Sequence, residues 1–191
     1  MKVVIAIDSF KGSLTSTEAG QAIADGILEQ FPQSQIELIP IADGGEGMLT
    51  VMLNTIGGRI QHLTAHNPCM EIIPTQYGIA GDGQTAYLEM AAISGLPLIR
   101  EEQKNPMKST TFGTGELIAD ALEQGCRTFI IGIGGSATND AGTGMLQALG
   151  YRFFDENGQK LGTGGEILAK ITRIDDTHRH PLLKEARFVV A

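Results

Sequence analysis

Tryptophan is missing from the sequence, cysteine occurs twice, and basic residues are few: 14 Lys+Arg stand against 22 Asp+Glu, for a net charge of −8. The acidic balance argues against wholesale binding of phosphate backbones, so no nucleic-acid partner is expected. Cys69 and Cys126 lie far apart, without the spacing of a metal site; they read as reduced thiols, with a disulfide between them left open. No stretch approaches the roughly 18 uninterrupted apolar residues of a membrane span, and the N-terminus reaches Asp8 after a short apolar run. No membrane partner or export signal is expected, and the expected location is the cytoplasm. Only Lys2, Lys11, Arg59 and Arg100 are basic among residues 1–100. An anion bound ahead of Arg59 must therefore be met by Lys11 or by backbone N–H groups.

What is abundant is glycine, at 25 of 191 residues, where average usage is about 7%. In a chain that is 42% hydrophobic and 19% charged, and hence globular, such glycines mark places where main chain comes close to something else. Val3–Ile7 is a continuous apolar run rich in β-branched residues, the pattern of a parallel strand buried on both faces. Thr15 and Glu18 then stand at capping-box spacing ahead of a helix whose apolar positions are Ala19, Ala22, Ile23, Ile27 and Phe31, stopped by Pro32. A second strand, 36–41, leads through Asp43-Gly-Gly-Glu-Gly47 into a helix with Leu49, Met52, Leu53 and Ile56 on one side, closed by Gly57-Gly58. This βαβα order is that of layered α/β architecture. Shorter strands follow at 60–64, 72–79 and 85–90, then a helix over 113–123, a strand at 128–133, a short helix at 144–149 and a strand at 151–154 turning at Asn157-Gly158. A lobe boundary is expected near residue 65, giving domains 1–64 and 65–191. The final run, 186–191, reads as a strand, and the chain is expected to be part of a longer one.

Four loops share one design, an apolar strand or short loop, a Gly/Ser/Thr-rich turn, then a helix start, and so offer free N–H groups and a helix dipole to an anion. They hold Asp8, Ser9, Lys11, Gly12 and Ser13; Asp43, Gly44, Gly45 and Glu46; Thr111, Gly113 and Thr114; and Gly134, Gly135, Ser136, Thr138, Asn139 and Asp140. In open α/β sheets such loops gather at the carboxyl ends of the strands. Asp43 and Glu46 read either as helix-start acids or as a Mg²⁺ site, since magnesium needs only one or two carboxylates besides phosphate; Asp140 has the same two readings. His62, His66, His178 and His180 lack zinc spacing. A Walker loop is absent, because Lys11 precedes its glycine. Gly132-x-Gly134-x-x-Ala137 matches a dinucleotide fingerprint with Asp155 beyond it, which supports an NAD(P)-dependent oxidoreductase as an alternative. A structural fragment or partner-binding module with an apolar surface around 188–191 is a further one.

Asp8-Ser-Phe-Lys-Gly-Ser-Leu-Thr-Ser, Pro40-Ile-Ala-Asp-Gly-Gly-Glu-Gly, Thr110-Thr-Phe-Gly-Thr-Gly-Glu-Leu-Ile and Ile131-Gly-Ile-Gly-Gly-Ser-Ala-Thr-Asn-Asp resemble, in this order, the matching motifs of the bacterial glycerate kinase family. The resemblance implies two dissimilar α/β domains, one flavodoxin-like with a parallel sheet, the active site in the cleft between them, and a chain here incomplete at its C-terminus. It implies phosphoryl transfer from ATP to D-glycerate with Mg²⁺, giving 2-phosphoglycerate. On that reading Lys11, Gly12 and Ser13 hold a phosphate or the glycerate carboxylate, and Asp43, Glu46 and Asp140 serve the metal. Asp8 or Asp43 accepts the hydroxyl proton, and the remaining loop residues bind phosphate. Met48 and Ala141 depart from the family pattern, which more often has threonine and glycine there.

Overall fold

In the computed structural model, which describes residues 1–10, 12–45 and 47–191, the chain first builds a β-α-β unit. β1 (Lys2–Ile7) and β2 (Gln35–Pro40) pair in parallel, joined by α1 (Ser16–Gln30). The capping box forms: the Glu18 amide donates to Thr15 Oγ1 at 3.2 Å and the Thr15 amide to Glu18 Oε2 at 2.8 Å, satisfying donors that the first turn leaves open. The inner face of α1 differs from the sequence reading. Ala19, Gly20 and Ala24 are buried, while Ile23 and Phe31 are 41% and 58% exposed. Small residues take the inner face because the helix sits close on the strands, with Gly20 fitted against Ile7 and Leu38. Nor is β1 buried on both faces: Ile5 is buried and Val4 is 52% exposed, since α1 covers one side of the pair.

The second unit is a five-stranded mixed sheet. Its first strands are β3 (Gly58–His66), β4 (Ile72–Ala80) and β5 (Thr85–Glu89), antiparallel to their neighbours; then comes β6 (Thr128–Gly132), parallel to β5. A small antiparallel pair, β7 (Arg152–Phe154) and β8 (Arg173–Asp175), precedes β9 (Arg187–Val190), which lies parallel beside β6. The sheet order is β3-β4-β5-β6-β9. β3 runs unbroken through residues 64 and 65, where a lobe boundary is expected, and the change of sheet comes earlier, between Pro40 and Gly58.

Alternation along β5 and β6 sends side chains to two helical layers. On one face α2 (Met48–Ile56) packs Leu49, Met52 and Leu53 against Ala80, Tyr87 and Ile130; Ile56, in its last turn, is 55% exposed. A short helix, α3 (Ala91–Ser94), follows β5. On the other face α4 (Phe112–Glu123) sets Leu117, Ile118 and Leu122 on Ile79, Leu88, Phe129 and Ile131, with α5 (Thr143–Ala148) alongside. At the sheet edge, Phe188 and Val190 are 43% and 63% exposed. Among the described residues no helix is long and apolar enough to cross a membrane.

Candidate functional site

β5, β6 and β9 run the same way and end at one edge, Glu89 opposite Gly132 and Ile131 opposite Val190. Here the second and fourth glycine loops meet main chain to main chain. The Gly134 amide donates to the Gly44 carbonyl at 3.2 Å. A Cβ on Gly132 would lie 2.2 Å from Gly44 O, and one on Gly134 would lie 2.8 Å from Gly45 Cα, so no larger residue fits without moving a loop. Asp43, exposed in the second loop, receives the Gly45 amide on Oδ1 at 3.1 Å.

The third and fourth loops are joined by Asp140, which is 1% exposed. Its carboxylate accepts from the Thr110 and Thr111 hydroxyls, from the Thr111 amide at 2.8 Å, and from the Gly142 and Gly144 amides at 3.1 Å. The Thr111 hydroxyl in turn accepts the Met145 amide at 2.9 Å. Thr114 Oγ1 meets Ser94 Oγ at 2.8 Å, and the Ser94 carbonyl takes the Ala137 amide at 2.9 Å. α3 thereby braces the fourth loop.

Two clefts flank this rim. One, of about 520 Å³, lies between residues 9–10 and 12–18 and the start of α2, with Gly12, Ser13, Gly47, Thr50 and Glu89 in its walls. The other, of about 410 Å³, lies on the α4/α5 side, where Met90, Ile131, Ile133 and Met145 stand beside Ser136, Thr138 and Asn139.

Comparison with known proteins places this rim in context. The model of the glycerate kinase family matches residues 3–191. The chain belongs to the glycerate kinase family. It is 48% identical over 191 residues to glycerate 2-kinase of Escherichia coli (strain K12) and 45% identical over 191 residues to glycerate kinase of Bacillus subtilis (strain 168), in each case covering 100% of this chain and 50% of the relative. A crystal structure described as glycerate kinase 2 from Salmonella typhimurium LT2 superposes with a TM-score of 0.83 at 43% identity, over 100% of this chain and 51% of that one. The chain thus spans about half the length of the curated relatives it matches.

Against this family background the residues singled out in the sequence fall into distinct places. Ser9, Gly12 and Ser13 line the larger cleft, and the Asp8 carboxylate folds back onto the Ser9 amide at 2.6 Å. Lys11 and Glu46 lie outside the described residues. Gly44, Gly45 and Gly134 form the loop contact itself. Gly135 adopts φ +71 and its carbonyl accepts the Leu96 amide at 3.0 Å. Ser136 and Asn139 are exposed, with Ser136 Oγ and Thr138 Oγ1 2.7 Å apart. The third loop is tied inward: Thr111 and Thr114 spend their hydroxyls on Asp140 and Ser94, and a Cβ on Gly113 would overlap the His66 carbonyl at 1.9 Å. Of the metal candidates, Asp140 has both oxygens filled by donors of the fold. Among the described residues no three His, Cys, Asp or Glu side chains are grouped to hold a metal ion. His66 and His180 face Glu116 and Glu123 at 2.8 and 2.9 Å.

The dinucleotide alternative fails on geometry. No helix opens at Ala137; α5 begins at Thr143, and Gly134 is packed on Gly45 rather than left open for a pyrophosphate. Asp155 turns its own loop instead, accepting the Asn157 and Gln159 amides at 2.9 and 2.8 Å.

Sequence reasoning missed Glu89, absorbed into a strand. Its Oε1 accepts the Leu49 amide at 2.5 Å. The signal was available, an acid closing an apolar strand at its carboxyl end, as Asp8 does after Ile7.

Proposed function

We propose that this chain carries part of a kinase site that transfers the γ-phosphoryl group of ATP to D-glycerate, giving 2-phosphoglycerate. The observation that carries the reading is the Gly44–Gly134 contact at the carboxyl ends of parallel strands with a cleft on either side, in a chain whose relatives are named glycerate kinases. Phosphoryl transfer asks a protein for positioning and charge neutralisation more than covalent chemistry. Lys11 with the amides near Gly12 and Ser13 would hold the glycerate carboxylate or the transferring phosphate, and Ser136, Thr138 and Asn139 would meet the nucleotide phosphates.

A magnesium ion that rides on phosphate and keeps most of its waters needs only one or two carboxylates, and Asp43 carries one on an exposed loop. Asp43 and Glu46 would hold it, and the ion would supply neutralisation of developing phosphate charge. Asp140, filled by the fold, is better read as the organiser of loops three and four.

The test is D-glycerate-dependent ADP formation from MgATP by this chain, alone and joined to the second half of the Escherichia coli relative, with Lys11→Ala as control. Formation of ADP that Lys11→Ala lowers by about 100-fold or more supports the reading. ADP formation unaffected by Lys11→Ala removes that residue from the site, and none from either chain sinks the reading. Proton and phosphorus NMR of the product distinguish 2- from 3-phosphoglycerate.

A further inference from the structure

We infer that Glu89 is the carboxylate that meets the acceptor hydroxyl, an inference that rests on the kinase reading above. Three observations place it there. Glu89 ends β5 at the sheet edge where ligands of α/β proteins bind, and its main chain is fixed by pairing opposite Gly132, with the Met90 amide donating to the Gly132 carbonyl at 2.9 Å. Alternation along β5 sends Tyr87 and Glu89 toward α2 and Leu88 and Met90 toward α4. Glu89 therefore lines the larger cleft, across from Gly12 and Ser13.

Among the described residues, the helix it reaches has no side-chain cap of its own. The residue before α2, Gly47, is left-handed at φ +93 and offers no side-chain acceptor, so the Leu49 amide is met by Glu89 Oε1, from 40 positions along the chain. The bond from this helix N-terminal amide holds the carboxylate in one orientation. Among the described residues, the other carboxylate in the walls of this cleft is Glu18, which caps α1 through Thr15. Asp8 folds back onto the Ser9 amide, and neither Asp8 nor Asp43 is among the cleft walls.

In the step this arrangement serves, the glycerate hydroxyl donates its hydrogen bond to Glu89. The new bond forms between the hydroxyl oxygen and the γ-phosphorus of ATP, the bond from that phosphorus to the bridging oxygen breaks with its electron pair leaving on ADP, and the hydroxyl proton passes to the carboxylate and then to water.

Glu89→Gln separates this role from helix capping, because the amide oxygen still accepts from Leu49 while the proton acceptor is gone. D-glycerate and MgATP affinities by calorimetry, the rate of ADP formation and the thermal midpoint are measured for the wild type, Glu89→Gln and Glu89→Ala. Expected for Glu89→Gln are a wild-type midpoint and MgATP affinity, D-glycerate binding weakened about 10-fold, and a rate lowered about 100-fold or more. A Glu89→Gln protein with wild-type rate and glycerate affinity, beside an impaired Glu89→Ala, reduces Glu89 to a cap and overturns the inference alone. A wild type that neither binds D-glycerate nor forms ADP overturns the kinase reading and the inference together.

Discussion

The carbonyl of Gly44 accepts the amide of Gly134 at 3.2 Å, so the loop after β2 and the loop after β6 share a hydrogen bond at the point where both must be bare of side chains. Gly134→Ala would drive its methyl to 2.8 Å from Gly45 Cα. The expected cost is about 1–3 kcal/mol, read as a lower urea midpoint at unchanged slope, together with weaker glycerate-dependent turnover because the rim has moved.

Asp140→Ala removes the shared acceptor of the Thr111, Gly142 and Gly144 amides inside a site that is 1% exposed. Unsatisfied buried donors cost roughly 1–3 kcal/mol each, and urea unfolding is expected to show a loss of about 4 kcal/mol or more, in the range reserved for broken buried networks. A loss below about 1 kcal/mol contradicts the organising role.

Ala141 stands at φ +49, in the left-handed region that glycine occupies without cost. Ala141→Gly is expected to hold the thermal midpoint or raise it, by up to about 1 kcal/mol of stability, whereas the β-branched Ala141→Val loses about 1–3 kcal/mol. Parallel thermal melts of the two variants check the sign of each.

Burial pushes the Tyr77 phenol far above its ordinary pKa, aided by Asp120, whose Oδ2 accepts its hydroxyl at 2.7 Å. Above pH about 10 the unfolded chain gives up this proton and the native one keeps it, so fewer protons are bound after unfolding and stability falls as pH rises. Burial raises the Cys126 thiol in the same sense, starting the decline from about pH 8.5. Tyr77→Phe is expected to flatten the limb above pH 10 in urea titrations, leaving the earlier thiol part in place.

Much of this was legible in the residues. The Thr15–Glu18 box, the inward row of Leu49, Met52 and Leu53 and the strand–loop–helix order follow from local periodicity and capping chemistry, which need no knowledge of distant partners. What periodicity could not supply was depth. It offered Ile23 and Phe31 to the core, yet the close approach of α1 to its strands selected Gly20 and Ala24. It offered the third loop to solvent anions, yet Thr111 and Thr114 spend their hydroxyls on Asp140 and Ser94, partners set by tertiary contact. Glu89 was hidden for the same reason, since its meaning lies in α2, on another element.

The borrowed cap of α2 also sets an order in time. β1, α1 and β2 pair through neighbours in sequence and can assemble as soon as residues 1–40 are made. α2 has no such independence, because its N-terminal amide is met by Glu89, at the end of β5, which pairs with β4 and β6. During synthesis the bond that caps α2 is therefore expected to close only after β5 has emerged, 40 positions further along the chain, so the start of α2 depends on a non-local contact where α1 depends on a local one.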